Sequence, residues 1–233
     1  MELQRLDKII ASGGRWSRRE VKLLVRQGRV LVDGVPARSA EDKADPETAE
    51  IVVDGEPLAW RRHTWLMMNK PAGVLSATED GRGETVLDLL PPELRRRGLF
   101  PVGRLDKDTE GLLLLTNEGK LAHDLLAPKK HVDKVYYAKV EGRLDRTDAE
   151  ALAAGMVLGD GSQCHVTLRE GKYHQVKRML AARGKPVVYL KRLSMGPIAL
   201  DPALAPGEWR PLTGEEKALL RRGTAGDPGF SAF

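Results

Sequence analysis

The chain has 233 residues, of which 41% are hydrophobic and 30% are charged, so it can fill a core and global disorder is excluded. The net charge of +5 suits a polyanionic partner such as RNA, although basic proteins also arise for solubility alone. A lone cysteine, Cys164, excludes an intramolecular disulfide, fits a reducing compartment and is expected to be a plain strand residue. The first residues lack the apolar core of a signal peptide, and no segment approaches the ~20 apolar residues of a membrane span. We therefore expect a soluble, cytoplasmic protein with no membrane partner.

Basic side chains dominate residues 5–38, and acidic side chains dominate residues 41–56. A chain that sorts its charge in this way is expected to present one basic face, which would bind nucleic-acid phosphates. Two ordinary solvated helices are the alternative. We assign seven basic residues and the polar Ser17 to this face. The basic residues are Arg5, Lys8, Arg15, Arg18, Arg19, Lys22 and Arg26.

Two helices are predicted at the start of the chain. Apolar residues at positions 6, 9 and 10 have helical spacing, and Gly13 and Gly14 end that helix. Ser17 and Glu20 have the spacing of a capping box and begin a second helix, which ends at Gly28.

Short strands follow these helices. The apolar run 30–32, the pair Asp33-Gly34 and then Val35 predict a hairpin with a type I′ turn. Another strand, 51–53, precedes a second Asp-Gly pair. Helices followed by strands within sixty residues indicate a separate small domain of αααβ type at 1–59, joined by a linker at 60–64.

A larger domain is predicted over residues 65–222. Strands are expected at 65–68, 112–115, 135–140 and 187–190, and a helix at 174–183 closed by Gly184. Thr116 or Asn117 is expected to cap a further helix, and a second capping box is expected at Thr147 and Glu150. The irregular order of elements favours an α+β fold with a central, mainly antiparallel sheet flanked by helices. Residues 223–233 are expected to be a disordered tail.

Common cofactor and metal motifs are missing from the sequence. There is no phosphate-binding glycine loop, no nucleophile elbow, and the five histidines lack metal-ligand spacing. Asp106 and Asp108 alternate in a manner seen at Mg²⁺ sites, but such a pattern more often marks a turn. We expect neither a metal site nor a cofactor.

The charged run Gly103-Arg104-Leu105-Asp106-Lys107-Asp108-Thr109-Glu110-Gly111 leads into an apolar strand. It closely resembles the catalytic loop of RNA pseudouridine synthases. Four further segments resemble motifs of that family in the same order, namely 69–73, 134–136, 170–179 and 207–212. Residues 5–34 resemble a small RNA-binding module named after a ribosomal small-subunit protein. Both together are typical of the RsuA branch, which modifies ribosomal RNA, and the version of the motif at 173–178 leans toward the small-subunit member.

The resemblance implies that the chain isomerises uridine to pseudouridine in ribosomal RNA, with Asp106 as the catalytic residue. No atoms are gained or lost in this reaction, so no cofactor is required. Whether Asp106 attacks the sugar, removes a sugar proton or adds to the ring stays open. Tyr136 is expected to stack on the uracil, with a core aromatic as the alternative. Lys177 is expected to pair with Asp106 and keep it ionised, and Arg178 is the fallback, since His174, Lys177 and Arg178 would share a helix face.

The resemblance also extends the set of expected RNA contacts. Arg104 is expected to fill the space that a flipped-out base vacates, or else to form a salt bridge within its loop. The helix-start motif adds His174, Gln175 and Arg178 to the RNA-binding candidates. The expected partner is ribosomal RNA, free or within a subunit, and the chain is expected to be a monomer.

One departure and two rival functions remain. Between residues 155–161 and Cys164 the chain is shorter than is usual in the family, which puts the local sheet edge in doubt. A large-subunit ribosomal RNA synthase is one rival. A non-catalytic RNA-binding or ribosome-assembly protein is the other.

Overall fold

The computed structural model describes residues 3–46, 49–58, 63–151, 156–159 and 161–224. The chain divides into two units, residues 1–64 with 90–99, and residues 65–89 with 100–233. Most of the predicted linker and residues 225–233 of the predicted tail lie outside the described residues. None of the described helices is long and apolar enough to cross a membrane.

The first unit consists of short helices and strands. They are β1 (Gln4–Arg5), α1 (Leu6–Ser12), α2 (Arg18–Arg26), β2 (Val30–Val32), β3 (Val35–Pro36), β4 (Lys43–Ala44), β5 (Ile51–Val53), β6 (Glu56–Pro57) and α3 (Pro92–Arg95). Strands β3, β2, β5 and β6 form one antiparallel sheet in that order. Helices α1 and α2 share one apolar core with this sheet. The helices contribute Leu6, Ile9, Ile10, Val21 and Leu24, and the strands contribute Val30 and Val53.

The local signals of this unit are confirmed. Ser17 accepts a hydrogen bond from the backbone N–H of Glu20, and the Glu20 carboxylate accepts one from the N–H of Ser17, which completes the capping box. Asp33 and Gly34 have φ values of 51° and 79°, as a type I′ turn requires. The second Asp-Gly pair forms a matching hairpin between β5 and β6.

The helix count of the first unit needs a correction. Within residues 3–46 and 49–58 the structure has two helices, α1 and α2, and the third helix of this unit is α3, from much later in the chain. The Arg97 guanidinium donates to the carbonyl oxygen of Ser12 at 3.0 Å. The backbone of Glu93 lies so close to Gly14 that a side chain there would clash with it. Residues 90–99 therefore belong to the first unit, although the sequence assigned them to the second.

The second unit is built on one large sheet. Its elements are β7 (Trp65–Lys70), β8 (Phe100–Pro101), β9 (Glu110–Thr116), α4 (Gly119–Leu126), β10 (Lys134–Val140), α5 (Arg146–Ala151), β11 (Met156–Leu158), β12 (Gln163–Leu168), α6 (Gln175–Ala181), β13 (Val187–Met195), β14 (Ile198–Ala199), β15 (Trp209–Pro211) and α7 (Gly214–Thr224). The main path runs β11-β12-β10-β13-β9-β7-β15, with β14 beside β13 and β8 beside β9. The β9–β13 pair is parallel and the others are antiparallel, so the predicted α+β class with a mainly antiparallel sheet is confirmed.

The centre of the sheet is its most buried part. All six residues of β7 are buried, and so are residues 111–116 of β9, which explains why both strands read as continuous apolar runs. The four predicted strands are all present. Cys164 lies buried in β12, as expected for a plain strand residue.

Two predicted helix caps are wrong. Helix α4 begins at Gly119 with Glu118 as its N-cap, and the Thr116 hydroxyl instead accepts from the N–H of Glu118 at 3.0 Å. Helix α5 is capped by Asp145, whose carboxylate accepts from the N–H of Thr147 and of Asp148. Asp148 in turn accepts from the N–H of Asp145, so the reciprocal box lies two residues earlier than predicted. At α5 the Asp145 carboxylate is a stronger acceptor than the Thr147 hydroxyl, which itself donates to Asp145.

Two further helices differ in their bounds from the prediction. Helix α6 covers Gln175–Ala181, and His174 precedes it in a left-handed conformation with φ of 48°. Helix α7 continues through Thr224, so the first two residues assigned to the tail are helical. At the shortened segment, β11 pairs with β12 and forms the sheet edge, which shows that the connection still closes a hairpin.

Candidate active site

The loop that carries Asp106 joins β8 to β9, and two side chains hold its backbone. Ser76 accepts from the N–H of Leu105 at 3.1 Å and donates to its carbonyl oxygen at 2.9 Å. Lys70, which is fully buried at the end of β7, donates to the carbonyl oxygens of Lys107 at 3.2 Å and Thr109 at 2.9 Å. The loop is therefore anchored on both sides of Asp106.

Burial has a marked effect on Lys70. It lowers the pKa of this amine to about 8, although the negative charges of Asp108, Glu110 and Asp106 act in the opposite direction. A charged, buried lysine is costly unless its donors are used. Three backbone carbonyl oxygens, including that of Pro71, accept from Nζ and offset this cost.

The far end of the loop is fixed by Gly111. This residue pairs in parallel with Arg192 of β13 and has a φ of 101°. A Cβ atom at this position would lie 2.2 Å from the carbonyl oxygen of Arg192. Only glycine allows the two strands to approach this closely, so it sets the position at which the loop enters the sheet.

Asp106 lies between two basic side chains. Its Oδ2 atom is 3.3 Å from Nζ of Lys177, and its Oδ1 atom is 3.4 Å from Nε2 of His174. The Asp106 and Lys177 side chains are 28% and 22% exposed, so the pair is partly shielded from water. Among the described residues these are the two basic side chains in contact with the Asp106 carboxylate, whereas Arg178 is exposed. The structure thus brings Lys177 rather than the fallback residue to the carboxylate.

Lys177 also contacts a second carboxylate. Its Nζ atom lies 2.6 Å from Oδ1 of Asp108. Burial alone would lower the pKa of Lys177, but the hydrogen bond to Asp108 and the charge of Asp106 outweigh burial and raise it. The same hydrogen bond lowers the pKa of Asp108. Lys177 is therefore held as a cation beside Asp106.

The turn before α6 presents an aromatic surface. The ring of Tyr173 stacks on His174 with 3.8 Å between centroids, and 76% of Tyr173 is exposed. The Gln175 side chain is engaged inside this turn, since it accepts from the N–H of Lys172 and donates to Glu170. Of the three RNA-binding candidates in this motif, His174 faces the carboxylate, Gln175 shapes the turn and Arg178 is exposed.

A cavity of about 630 Å³ opens beside Asp106. Tyr136, which is buried in β10, lines the same cavity as Asp106. Arg104 is exposed on its wall and has no ion pair within the described part of the chain, which speaks against a salt bridge in its own loop. Tyr173, Lys134 and Arg192 complete the polar and aromatic lining.

The candidate RNA-binding residues of the first unit fall into two groups. Arg5 pairs with the buried Asp7 and with Glu41, Arg15 pairs with Glu56, and Ser17 caps α2. The other candidates lie exposed on α1 or α2, and they are Lys8, Arg18, Arg19, Lys22 and Arg26. The exposed side of α2 is therefore the basic face of this unit.

Several residues with a place in the site were not predicted individually, and one of them is Ser76, which holds the loop backbone at Leu105. Lys70 and Lys134 lie in segments that resemble motifs of the family. The resemblance could therefore have indicated both residues. Asp108 was interpreted as a turn residue, and only the fold shows its contact with Lys177. Arg192 stands in a strand with no motif.

The chemistry available here is that of a shielded carboxylate beside a fixed cation, in a cavity with an aromatic wall. A carboxylate of this kind can act as a nucleophile or base on an electron-poor sugar carbon. Within the described residues, no group of three or more His, Cys, Asp or Glu side chains is placed to hold a metal ion.

Comparison with known proteins gives one consistent result. Residues 64–182 match the family described as RNA pseudouridylate synthase, and residues 4–49 match the S4 domain. An uncharacterized RNA pseudouridine synthase of Bacillus subtilis is 52% identical, over 93% of this chain and 98% of that protein. The ribosomal small subunit pseudouridine synthase A of Escherichia coli is 40% identical, over 93% and 99%. A crystal structure of a pseudouridylate synthase is similar with a TM-score of 0.65, at 34% identity, over 93% of this chain and 99% of that one. The chain therefore belongs to the RNA pseudouridine synthase family, with an S4 domain at its N-terminus.

Proposed function

We propose that this chain converts a specific uridine of small-subunit ribosomal RNA to pseudouridine, with Asp106 as the catalytic residue. The observation that carries the proposal is the Asp106 carboxylate held beside Lys177, in the cavity that Tyr136 also lines. The choice of small-subunit RNA is supported by the 40% identity to the Escherichia coli enzyme of that name.

The reaction needs no group from outside the chain. The bond between N1 of uracil and C1′ of ribose breaks, the base turns, and a bond forms between C5 and C1′. Asp106 acts on the sugar as nucleophile or base, and the positive charge of Lys177 lies 3.3 Å from its carboxylate. Tyr136 provides an aromatic surface for the turning base.

The target base must leave its helix to reach this cavity, at a cost of a few kcal/mol. Arg104, exposed on the cavity wall, is placed to contact the RNA that the base leaves. The basic face of α2 would hold structured RNA through its phosphates. The proposed partner is thus ribosomal RNA, free or assembling, bound by one copy of the chain.

A tritium-release assay tests the activity. Ribosomal RNA is labelled with tritium at C5 of uracil and incubated with the wild-type chain or with Asp106→Asn. We expect release by the wild type and none by the variant, while both bind the RNA equally. A chain that binds RNA and releases no tritium would be a clamp and not an enzyme.

The modified nucleotide is identified by mapping pseudouridine in both ribosomal RNAs of a strain that lacks the gene. Loss of one pseudouridine from the small-subunit RNA is the expected result. Loss from the large-subunit RNA would overturn that assignment and leave the enzyme class intact.

A further inference from the structure

Two buried cations lie on one face of the sheet, next to Tyr136. Lys134 and Arg192 are 7% and 2% exposed. Arg192 is the direct cross-strand partner of Tyr136, and Lys134 precedes Tyr136 by two residues. Side chains two residues apart in a strand point to the same face. All three line the cavity beside Asp106.

Neither cation is neutralised by an acidic partner within the described residues. Nζ of Lys134 donates to the carbonyl oxygen of Val132 at 3.1 Å, and Nε of Arg192 donates to that of Leu112 at 2.8 Å. Nη2 of Arg192 is buried and has no hydrogen-bond partner. An ammonium has three N–H donors and a guanidinium five, so several donors are left over.

The electrostatic environment of the pair is unfavourable as it stands. Burial, and next the positive charge of Arg192, lower the pKa of Lys134, and Asp133 opposes them. The Asp133 carboxylate is itself engaged with Arg169 at 3.0 Å. Two neighbouring buried cations with spare donors cost free energy that a bound anion would recover.

The depth of the pair indicates which anion it binds. Arg104 and Lys172 line the same cavity but are exposed, and such residues suit the phosphates of an RNA backbone. Lys134 and Arg192 are buried beside Tyr136, which the proposed function places against the base. A base entering the cavity would therefore bring its carbonyl oxygens to the cations.

We propose that Lys134 and Arg192 form an oxyanion site, which binds a carbonyl oxygen of the uracil and stabilises the charge on the base after it leaves the sugar. The inference rests on the proposed function. When the N1–C1′ bond breaks, its electron pair goes to the base, and the negative charge spreads over the ring and its two carbonyl oxygens. The C5–C1′ bond then forms from the ring electrons, the C5 proton leaves, and N1 takes up a proton. The two cations are unchanged throughout, and their interaction with the carbonyl oxygen is strongest while the base carries the negative charge.

The test compares Lys134→Met with Lys134→Arg and with Lys139→Met, in the full chain, by single-turnover tritium release. Lys139 is the matched control because it lies exposed on the same strand, β10. We expect Lys134→Met to lower the rate of tritium release from the bound complex by about 10²–10³-fold. RNA binding should not weaken, since the charge develops only during reaction. Lys134→Arg should recover most of the rate, and Lys139→Met should match the wild type. Weakened RNA binding with an unchanged rate would indicate a phosphate contact and overturn the inference.

A second measurement separates the proposed hydrogen bond from a structural effect. Substrates carry 2-thiouridine or 4-thiouridine at the target, because sulfur is a poorer hydrogen-bond acceptor than oxygen. The wild type should convert one of these two substrates more slowly than it converts uridine. Lys134→Met should convert that substrate and uridine at the same rate, since this variant can no longer donate the hydrogen bond. Additive effects for both substrates would overturn the inference.

Two controls complete the design. Replacement of a buried cation that has no acidic partner should leave the melting temperature unchanged or raise it, so a large decrease would show a structural role for Lys134 instead. If the wild type converts no uridine, the proposed function fails. If the wild type is active and Lys134→Met is equally active, the proposed oxyanion site is contradicted and the proposed function stands.

Discussion

Nζ of Lys177 lies 2.6 Å from Oδ1 of Asp108, closer than the 3.3 Å that separates it from Oδ2 of Asp106. Asp108 is 74% exposed, so it meets Lys177 from the solvent side, whereas Asp106 meets it from the cavity. The lysine is thereby held between two carboxylates of the same loop. We interpret Asp108 as a positioning residue, which restrains the cation that Asp106 needs.

Lys177→Met should lower the single-turnover rate by about 10²-fold or more, because the variant removes the fixed charge beside the Asp106 carboxylate. Lys177→Arg keeps the charge and should retain much more activity. Lys120→Met is the control, since this lysine of α4 is 92% exposed and does not line the cavity. An active Lys177→Met enzyme would contradict the role of the ion pair.

Asp108→Asn should have a much smaller effect. The carboxylate is largely exposed, so its pair with Lys177 is worth about 1 kcal/mol or less, which corresponds to about fivefold or less in rate. The loss of rate should grow toward alkaline pH. Asp108 helps to raise the pKa of Lys177, so without it Lys177 loses its proton at a lower pH. A pH–rate profile of the variant against the wild type measures both effects, and a loss as large as that of Asp106→Asn would contradict the positioning role.

The lowered pKa of Lys70 predicts how the stability of the protein depends on pH. Its pKa of about 8 in the folded chain lies below the usual 10.5, so the unfolded chain binds more protons between these values. The free energy of unfolding should therefore rise with pH over this window, by at most about 1.4 kcal/mol per pH unit. This contribution is fully present above pH 10.5 and is lost as the pH falls to 8. Denaturant unfolding of the wild type and Lys70→Met at several pH values checks it, since their difference should carry this slope.

Gly111→Ala should destabilise the second unit and displace the Asp106 loop. The backbone conformation alone costs about 1–3 kcal/mol, and the new Cβ would also clash with the Arg192 carbonyl oxygen. Gly119→Ala is the matched control, because a Cβ there meets nothing within 4 Å. The melting temperature and the rate of tritium release should both fall for Gly111→Ala. Both should stay near the wild-type values for Gly119→Ala. Equal behaviour of the two variants would show that the close approach of β9 to β13 is unimportant.

The basic face of α2 predicts a graded decrease of RNA affinity. Single alanine variants of Arg18, Lys22 and Arg26 should each weaken binding, and the slope of log affinity against log salt should fall by about 0.7–0.9 for each phosphate that the variant no longer neutralises. Arg29→Ala is the control, because its guanidinium is engaged with Asp54 at 2.8 Å. Substitution is preferable to removal of residues 1–59, since the segment 90–99 packs in the same unit. An unchanged salt slope in all three variants would exclude this face as the anchor.

The sequence by itself determined the features that depend on neighbouring residues. The capping box of Ser17 and Glu20 and the Asp33-Gly34 turn are encoded within a few positions, because local backbone geometry requires those residue types. The apolar runs of β7 and β9 indicated buried strands for the same reason. The family resemblance, which rests on order and spacing, was sufficient to nominate Asp106, Tyr136 and Lys177.

Only the tertiary structure decided which distant side chains complete the site. Arg192 reaches the catalytic loop because β13 pairs in parallel with β9, and Lys134 joins it because β10 lies on the other side of β13. Such pairings depend on the free energy of the whole sheet and not on any local pattern, so no motif around Arg192 could indicate them. The same holds for α3, whose place in the first unit depends on packing between segments that lie far apart in the chain.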